Sequence, residues 1–526
     1  MPIKHHHNTI GLLISYVLIV TGCTSNGQIN SDSTVAESTL DKINTVVVIY
    51  AENRSFDNLY GLFPGANGIH NALEHPETYL QLDRDGKTVL PSLPPIWNKN
   101  NPNWSFIADL PNKPFQIDAA PGDAPSSNGI KNVSPDLVHK FYHNQMQING
   151  GSNNQFAAFS NAGGLTMGYY DGSSMALWQL AKEYTLADNF FMGAFGGSFL
   201  NHFWLVCACT PSMANISTDQ VSILDDKTGM LAFKPSSALQ MAPHYLGDFN
   251  FTPADKSNLR SYAVNMAQPP FQPSGTPPAK TGNPLLADSG IKSGVVVLDP
   301  QTEKTLGDTL SAKQINWAWY AGAWHAALAD GMQSPDKARS VIYKTGASAA
   351  NFQTHHQPFN YFSRFDPTTA NGREQRIAHL KDYTDLQTDI AKGTLPAVTF
   401  YKPQGSLNQH PGYTDVMSGD AHIAELVKQL QASPQWPNMF IIVTYDENGG
   451  FWDHVSPPKG DRWGPGSRIP AIIISPFARK HTIDNTLYDT TSIIKFITRR
   501  FGLEPLPGVR DNAGDLTNTL EVDTQN

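Results

Sequence analysis

Short apolar runs punctuate the second half of the chain. "LPAVTFYKP" from Leu395, "MFIIVTYDE" from Met439 and "RIPAIIISPFA" from Arg468 are rich in β-branched and aromatic residues and bounded by Pro, Asp or Arg, so they predict buried strands. "INTVVVIYAENRSFDNLYG" carries a similar run at Val46 to Ile49, and "INWAWYAG" from Ile315 predicts another. Between these runs the pattern changes to helical spacing. "SMALWQLAKEYTLADNF" places Leu177, Leu180, Ala181 and Tyr184 on one face. "GREQRIAHLKDYTDLQTDIAKG" predicts one helix closed by Gly393, "DAHIAELVKQLQASP" one opened by Asp420 as N-cap, and "DTTSIIKFITRRFG" one capped by Asp489. The stretches at about 64–134 and 217–300 are rich in Pro, Asn and Asp and predict long loops or insertions, "QPPFQPSGTPPAKTG" among them. Strands alternating with helices predict an α/β fold with a mainly parallel sheet. Ligands of such sheets sit beyond the carboxyl ends of the strands. Glu52 and Asp446, each just past an apolar run, are therefore expected to face one crevice.

The chain has 526 residues, 40% apolar and 16% charged, an ordinary globular composition. A net charge of −9 gives no basic surface for phosphate electrostatics, so no nucleic-acid partner is expected. At the start, Lys4 and a His run precede "IGLLISYVLIVTGC", whose apolar part, Ile10 to Val20, is too short to span a bilayer comfortably. This resembles a bacterial lipobox with Cys23 as the lipidated residue; a plain signal peptide is the alternative. The expected organisation is a lipoprotein-type signal peptide at 1–22, a flexible tether at 23–42 and a single domain from 43 to 526. The expected location is the periplasm or outer membrane, with the membrane as a partner through lipidated Cys23, or secretion. Cys207 and Cys209 are separated by one residue, which strains a mutual disulfide and makes a poor zinc site, so a buried pair of small apolar residues is expected.

The adjacent acids of "YDENGGFWDHV" repel unless a cation or a proton lies among them. Glu52, Asn53, Asp446 and Glu447 offer oxygen donors suited to one divalent ion such as Mg, Mn or Ca, with Zn or Fe also compatible. Acids of this kind also serve as helix caps or salt-bridge partners. In "MGAFGGSFLNHFWLV", Gly196 and Gly197 lead through Ser198 into a helix-compatible run from Asn201. Backbone N–H groups at such a turn cradle anions, and a metal-activated Ser hydroxyl can attack phosphorus. Taken alone, Gly-Gly-Ser is a weak signal, and an inert turn is the expected reading of it. The nucleophile elbow G-x-S-x-G is absent there, so acyl transfer gains no support. His355 and His356 in "THHQPFNYF" and His410 in "NQHPGYTD" lie in loops beside prolines, where rings are expected to be displayed, free to bind phosphate oxygens or protonate a leaving group.

"ENRSFDNLYG", "GYYDG", "HHQPFNYF", "HPGYTD", "YDENGGFWDHV" and "GPGSRIPAIIISPFA", in this order from about Asn44 to Gly502, resemble the bacterial phosphoesterase family of phospholipases C and related acid phosphatases. The resemblance implies a fold similar to alkaline phosphatase and the sulfatases: a central sheet flanked by helices. It implies a metal site of Glu52, Asn53, Asp446, Glu447 and Ser198, with Ser198 as nucleophile. His410 and one of His355 and His356, with His356 preferred, would contact the phosphoryl group. Asn53, Gly197 and Asn201 would bind substrate, and Asp453 and His454 of "DHV" would be more structural than catalytic. The phospholipases carry Pro-Asn-Arg after the nucleophile; here only Asn201 is kept. With the Ser nucleophile and "MGYYDG", this leans toward an acid phosphatase acting on phosphomonoesters through a phosphoserine. Protonated histidines would favour mildly acidic pH. The alternatives are a phospholipase C, with Trp97, Trp104 and Phe106 building an apolar approach for lipid, and a surface lipoprotein that binds ligands without catalysis.

Overall fold

The apolar runs assemble into one eight-stranded sheet: β1 (Thr45–Ala51), β2 (Thr185–Ala187), β3 (Trp317–Ala321), β4 (Leu380–Asp382), β5 (Val398–Lys402), β6 (Met439–Tyr445), β7 (Ala471–Ile474) and β8 (Thr482–Asp484). The spatial order is β4-β3-β5-β1-β6-β7-β2-β8. The first five run parallel, β7 is antiparallel to both its neighbours, and β2 and β8 pair in parallel. β1 and β6 are buried at every position, which explains their unbroken apolar sequences. The register pairs Ala51 with Tyr445, so Glu52 and Asp446 leave the sheet side by side. This computed structural model describes residues 39–96, 109–119, 129–214, 216–232, 236–240, 249–253, 260–290, 296–344 and 350–521. The expected leader, Cys23, and the aromatics Trp97, Trp104 and Phe106 lie outside the described residues. No described helix is long and apolar enough to cross a membrane.

The flanking helices include α1 (Phe56–Tyr60), α2 (Phe141–Ile148), α3 (Ala176–Glu183), α4 (Ser198–Val206), α5 (Ala370–His379), α6 (Tyr383–Lys392), α7 (Val416–Ala432) and α8 (Thr490–Phe501). Asp489 caps α8 as expected, in a reciprocal pair with Ser492. Four expectations are corrected. The single helix ending at Gly393 is two, α5 and α6, because Leu380–Asp382 joins the sheet as its edge and Asp382 caps a new helix with Asp385. α7 opens one turn earlier, on Asp415. Asp420 lies inside it and instead accepts the Ala176 and Leu177 N–H groups at 2.7 and 3.0 Å, capping α3, whose own N-cap Met175 has no oxygen to offer. α4 begins at Ser198 rather than Asn201. Cys207 and Cys209 are joined in a disulfide, made possible by Ala208, which turns at φ 47° between them.

Candidate active site

The two loops that leave β1 and β6 are stitched to each other. The Asn53 N–H donates to Asp446 Oδ1 at 3.1 Å, and the Arg54 N–H to the Glu447 carbonyl at 3.0 Å. Asp446 Oδ1 also accepts the Glu447 N–H at 2.8 Å. The second residue after Glu447 must be glycine: Gly449 has φ +63°, and a Cβ there would lie 2.2 Å from the Asn53 carbonyl oxygen. A third segment reaches the same place through Gly196, at φ +90°, whose Cβ would strike the Phe141 backbone at 2.5 Å. Ser198 follows as the first residue of α4. Its Oγ lies 3.4 Å from Asn53 Oδ1 and 3.5 Å from Glu447 Oε1. Asn201 turns its amide back on this glycine turn, accepting the Ala194 N–H at 2.9 Å and donating to the Ala194 and Gly197 carbonyls, both at 3.1 Å.

Part of the positive charge that the acids demand comes from the chain itself. Lys402, fully buried at the end of β5, holds its Nζ 3.1 Å from Glu52 Oε1, 3.2 Å from Asp446 Oδ2 and 3.3 Å from the Ala51 carbonyl. Glu52 also bonds to His356 Nε2 and accepts from Asn408 Nδ2. Burial opposes its charge, yet His356 and Lys402 together hold its carboxyl well below the usual range. Among the described residues, Glu447 has no ion pair as close. Its Oε2 accepts the Gly449 N–H, and His139 Nε2 lies 3.8 Å from Oε1. Burial pushes the Glu447 carboxyl up to about 8, with Asp446 adding to the effect and His139 opposing it. Burial works against a charge on His139, but Glu447 and Asp136 carry that ring up to about 9.

The histidine rings are packed, not displayed. His355 and His356 sit on a single 3₁₀ turn and are buried, because Trp319 Nε1 anchors the His356 carbonyl at 2.6 Å and Glu52 holds the His356 ring. Burial lowers the pKa of both rings, with Glu52 opposing the shift at His356. His410 is also buried, its Nδ1 2.5 Å from the Pro411 carbonyl and its ring edge-on to His139. Ser198, Gly197, Glu52, His139, His355 and His410 line one cavity of about 190 Å³. Asn265 and Met266, which follow a small sheet of Ser212–Met213, Phe251–Pro253 and Ser261–Ala263, also line it.

The donors fit a divalent ion. Oxygens bound to one such ion at roughly 2.1–2.5 Å lie about 3–3.5 Å apart; Ser198 Oγ stands at that spacing from both Asn53 Oδ1 and Glu447 Oε1. Two further groups, Glu52 with His355 and His356, and Asp136 with His139 and His410, each bring potential ligand atoms within 4.8 Å of one another. His139, Lys402 and Asn408 are the site residues that sequence reasoning missed. Lys402 had a visible signal, a charge at the end of an apolar strand beside Glu52.

A second ionic cluster ties the same loops farther out. Arg468 Nε contacts Asp453 Oδ1 at 3.0 Å and its Nη2 contacts Asp57 Oδ1 at 3.1 Å, while Nη1 donates to the Asn67 and Asp188 carbonyls at 2.8 and 2.7 Å. The Asp57 N–H donates to Asp453 Oδ2 at 3.0 Å, and His454 places both its N–H and its Nδ1 at 2.7 Å from Asp57 Oδ2.

Among known proteins, the chain is 33% identical over 165 residues to phospholipase C B of Mycobacterium tuberculosis, covering 26% of this chain and 31% of that one. It is 23% identical over 530 residues to phospholipase C A of the same organism, covering 92% of this chain and 78% of that one. Among solved structures it is similar to the PsFucS1 sulfatase of Pseudoalteromonas sp., with 11% identity, coverage of 94% and 76% and a TM-score of 0.35. The profile of the Phosphoesterase family matches residues 43–504, and on that span the chain belongs to the phosphoesterase family.

Proposed function

We propose that this protein is a metal-dependent phosphoric ester hydrolase, a phosphomonoesterase of the acid phosphatase kind with Ser198 as nucleophile. The observation that carries this reading is the position of Ser198, at the start of a helix and between Asn53 Oδ1 and Glu447 Oε1, in a small cavity lined by imidazoles. Asn53, Glu447 and Ser198, with Asp446 and Glu52 behind them, would hold one divalent ion, which when bound lowers the pKa of a hydroxyl and offsets charge on phosphoryl oxygens. Ser198 Oγ attacks phosphorus in line, forming phosphoserine as the bond to the leaving alcohol breaks. N–H groups at the start of α4 and the Asn53 amide meet the equatorial oxygens. His410, whose Nδ1 contacts the Pro411 carbonyl, and His139 line the same cavity, which supports a role for one of them in handing a proton to the leaving oxygen. Water then cleaves the phosphoserine.

The cavity volume of about 190 Å³ favours a phosphoryl group with a modest leaving group over a diacylglycerol. The phospholipase C reading rests on the relatives' names. Comparing p-nitrophenyl phosphate with p-nitrophenylphosphorylcholine separates the two: preference for the monoester supports the phosphatase, and preference for the choline diester overturns it. Ser198→Ala is expected to abolish hydrolysis of both, and retained turnover would rule out this nucleophile. A wild-type protein that cleaves neither would favour a non-catalytic binding protein. We also infer export and anchoring through Cys23. The Cys207–Cys209 disulfide suits an oxidising compartment, and Cys23→Ala should release the protein from the membrane fraction.

A further inference from the structure

A second cleft, of about 540 Å³, opens at the β4 edge of the sheet. β4 lies three strands from β1, a separation of about 14 Å at the usual strand spacing. Trp324, Leu328, Leu380 and Ile377 make its apolar walls, and Ile377 is 78% exposed. Two guanidiniums border it. Arg376, half-buried 5.4 Å over the Trp324 ring, donates from Nη1 to Asn360 Oδ1 and the Phe365 carbonyl at 2.5 and 3.2 Å, and from Nη2 to the Gln272 carbonyl at 2.7 Å. Arg373 donates to the Pro367 and Thr368 carbonyls at 3.1 and 3.0 Å.

All of these acceptors are neutral. Among the described residues no carboxylate lies within ion-pair reach of either guanidinium, and the acids nearby are engaged elsewhere. Asp385 faces His325 at 3.3 Å, Asp389 takes Lys381 at 3.1 Å and the Tyr320 hydroxyl at 2.6 Å, and Asp366 accepts from Thr368. Carbonyl dipoles orient a guanidinium but do not cancel its charge, and arginine cannot shed its proton. Asp366 acts on Arg376 only from beyond ion-pair distance, and Asp385 and Asp389, which also line the cleft, are paired with His325 and Lys381, so the cleft keeps an excess of positive charge beside an apolar wall, at a volume typical of small-molecule sites.

We propose that this cleft binds an amphiphilic carboxylate, its head group on Arg376 and Arg373 and its aliphatic body against Leu328, Ile377, Leu380 and Trp324. The site is separate from the Ser198 cavity and does not depend on the phosphatase reading. Calorimetric titration of the full-length protein with decanoate should give saturable one-to-one binding. Acetate, which lacks the body, and decyltrimethylammonium, which carries the opposite charge, should bind at least tenfold more weakly. Arg376→Gln should weaken decanoate at least tenfold. Because Arg376 also joins three segments, Arg373→Gln and Ile377→Asp serve as variants that leave the fold intact, each expected to cost threefold or more without altering p-nitrophenyl phosphate turnover. Unchanged decanoate affinity in both variants, equal binding of the cation, or no saturable heat would overturn the proposal. So would sedimentation showing a wild-type dimer that Ile377→Asp dissociates, since a second copy would then be the occupant.

Discussion

Two buried ionic clusters hang from the same pair of loops, and they differ in how fully their polar atoms are used. In the outer one, Arg468 spends all three nitrogens, Asp57 and Asp453 each bind through both oxygens, and His454 Nε2 reaches Asn67 Oδ1 at 3.1 Å. In the inner one, Glu52 and Asp446 are satisfied by Lys402, His356 and Asn408, but Ser198 Oγ reaches Asn53 Oδ1 and Glu447 Oε1 only at 3.4 and 3.5 Å, and His139 lies 3.8 Å from Glu447 Oε1. A saturated cluster holds shape; one with a loosely bonded mouth keeps capacity for a ligand. "DENGG" and "DHV" thus do different work within one sequence motif.

Glu447→Gln tests the loose cluster most severely. Hydrolysis of p-nitrophenyl phosphate should fall by at least about 10²–10³-fold, the scale for losing a preorganised charge-stabilising group. Stability to urea in EDTA should hold or rise, because burial already favours the uncharged form of this side chain. A variant that unfolds while its residual activity per folded molecule is normal would assign Glu447 to structure and erase the distinction. Arg468→Met probes the saturated cluster in the opposite sense. It removes the guanidinium from both acids, leaving Asp453 buried without its ion-pair partner and Asp57 with His454, which should cost about 3–5 kcal/mol in urea unfolding. Activity below the new transition should fall far less than in Glu447→Gln. Divalent-ion affinity lost as completely as stability would mean the two clusters are one unit.

What could be read from the sequence follows the same physics. β1, β5 and β6 were legible because strands buried on both faces must be continuously apolar, and the shared edge of Glu52 and Asp446 followed from parallel topology. β4 was not, since its three residues pair only along one side and helical spacing runs through it from α5 into α6. Asp420 shows why caps mislead: an acid before an apolar run caps whichever helix end it meets, here that of α3. A Pro-flanked loop usually displays its histidines to solvent; Glu52 and Trp319 draw the His355–His356 turn inward through His356, a long-range contact with no local signature. His139 lies 86 residues from Asn53, to which it is hydrogen-bonded, so its place depends on tertiary closure alone.

The smallest effect is a pH slope, and it tests whether the outer cluster is purely structural. Burial pushes the Asp453 carboxyl up to about 6, with Arg468 opposing and Asp57 reinforcing the shift. A folded-state pKa above the ordinary value of roughly 3.9 means that the folded protein holds a proton the unfolded chain releases between these values. The stabilisation is full below about pH 4 and is lost as pH rises through 6. His454 is also raised, against burial, by Asp57, so its contribution persists below its ordinary value and declines above it; the depressed Asp57 acts below about pH 4. Between pH 4 and 6, therefore, Asp453 supplies the slope that comes from this cluster, and Glu447 adds a slope of the same sign. Wild-type unfolding free energy in urea should decline across that interval by on the order of 1–3 kcal/mol relative to Asp453→Asn, whose amide cannot titrate. The amide lowers absolute stability, because one N–H donor of Asp57 or Val455 loses its acceptor, but it removes the Asp453 part of the slope and leaves the part due to other groups, Glu447 among them, unchanged. Parallel curves for the two proteins would show that Asp453 is ionised throughout, and a pH-dependent activity change unaccompanied by a stability change would move it from the scaffold to the chemistry.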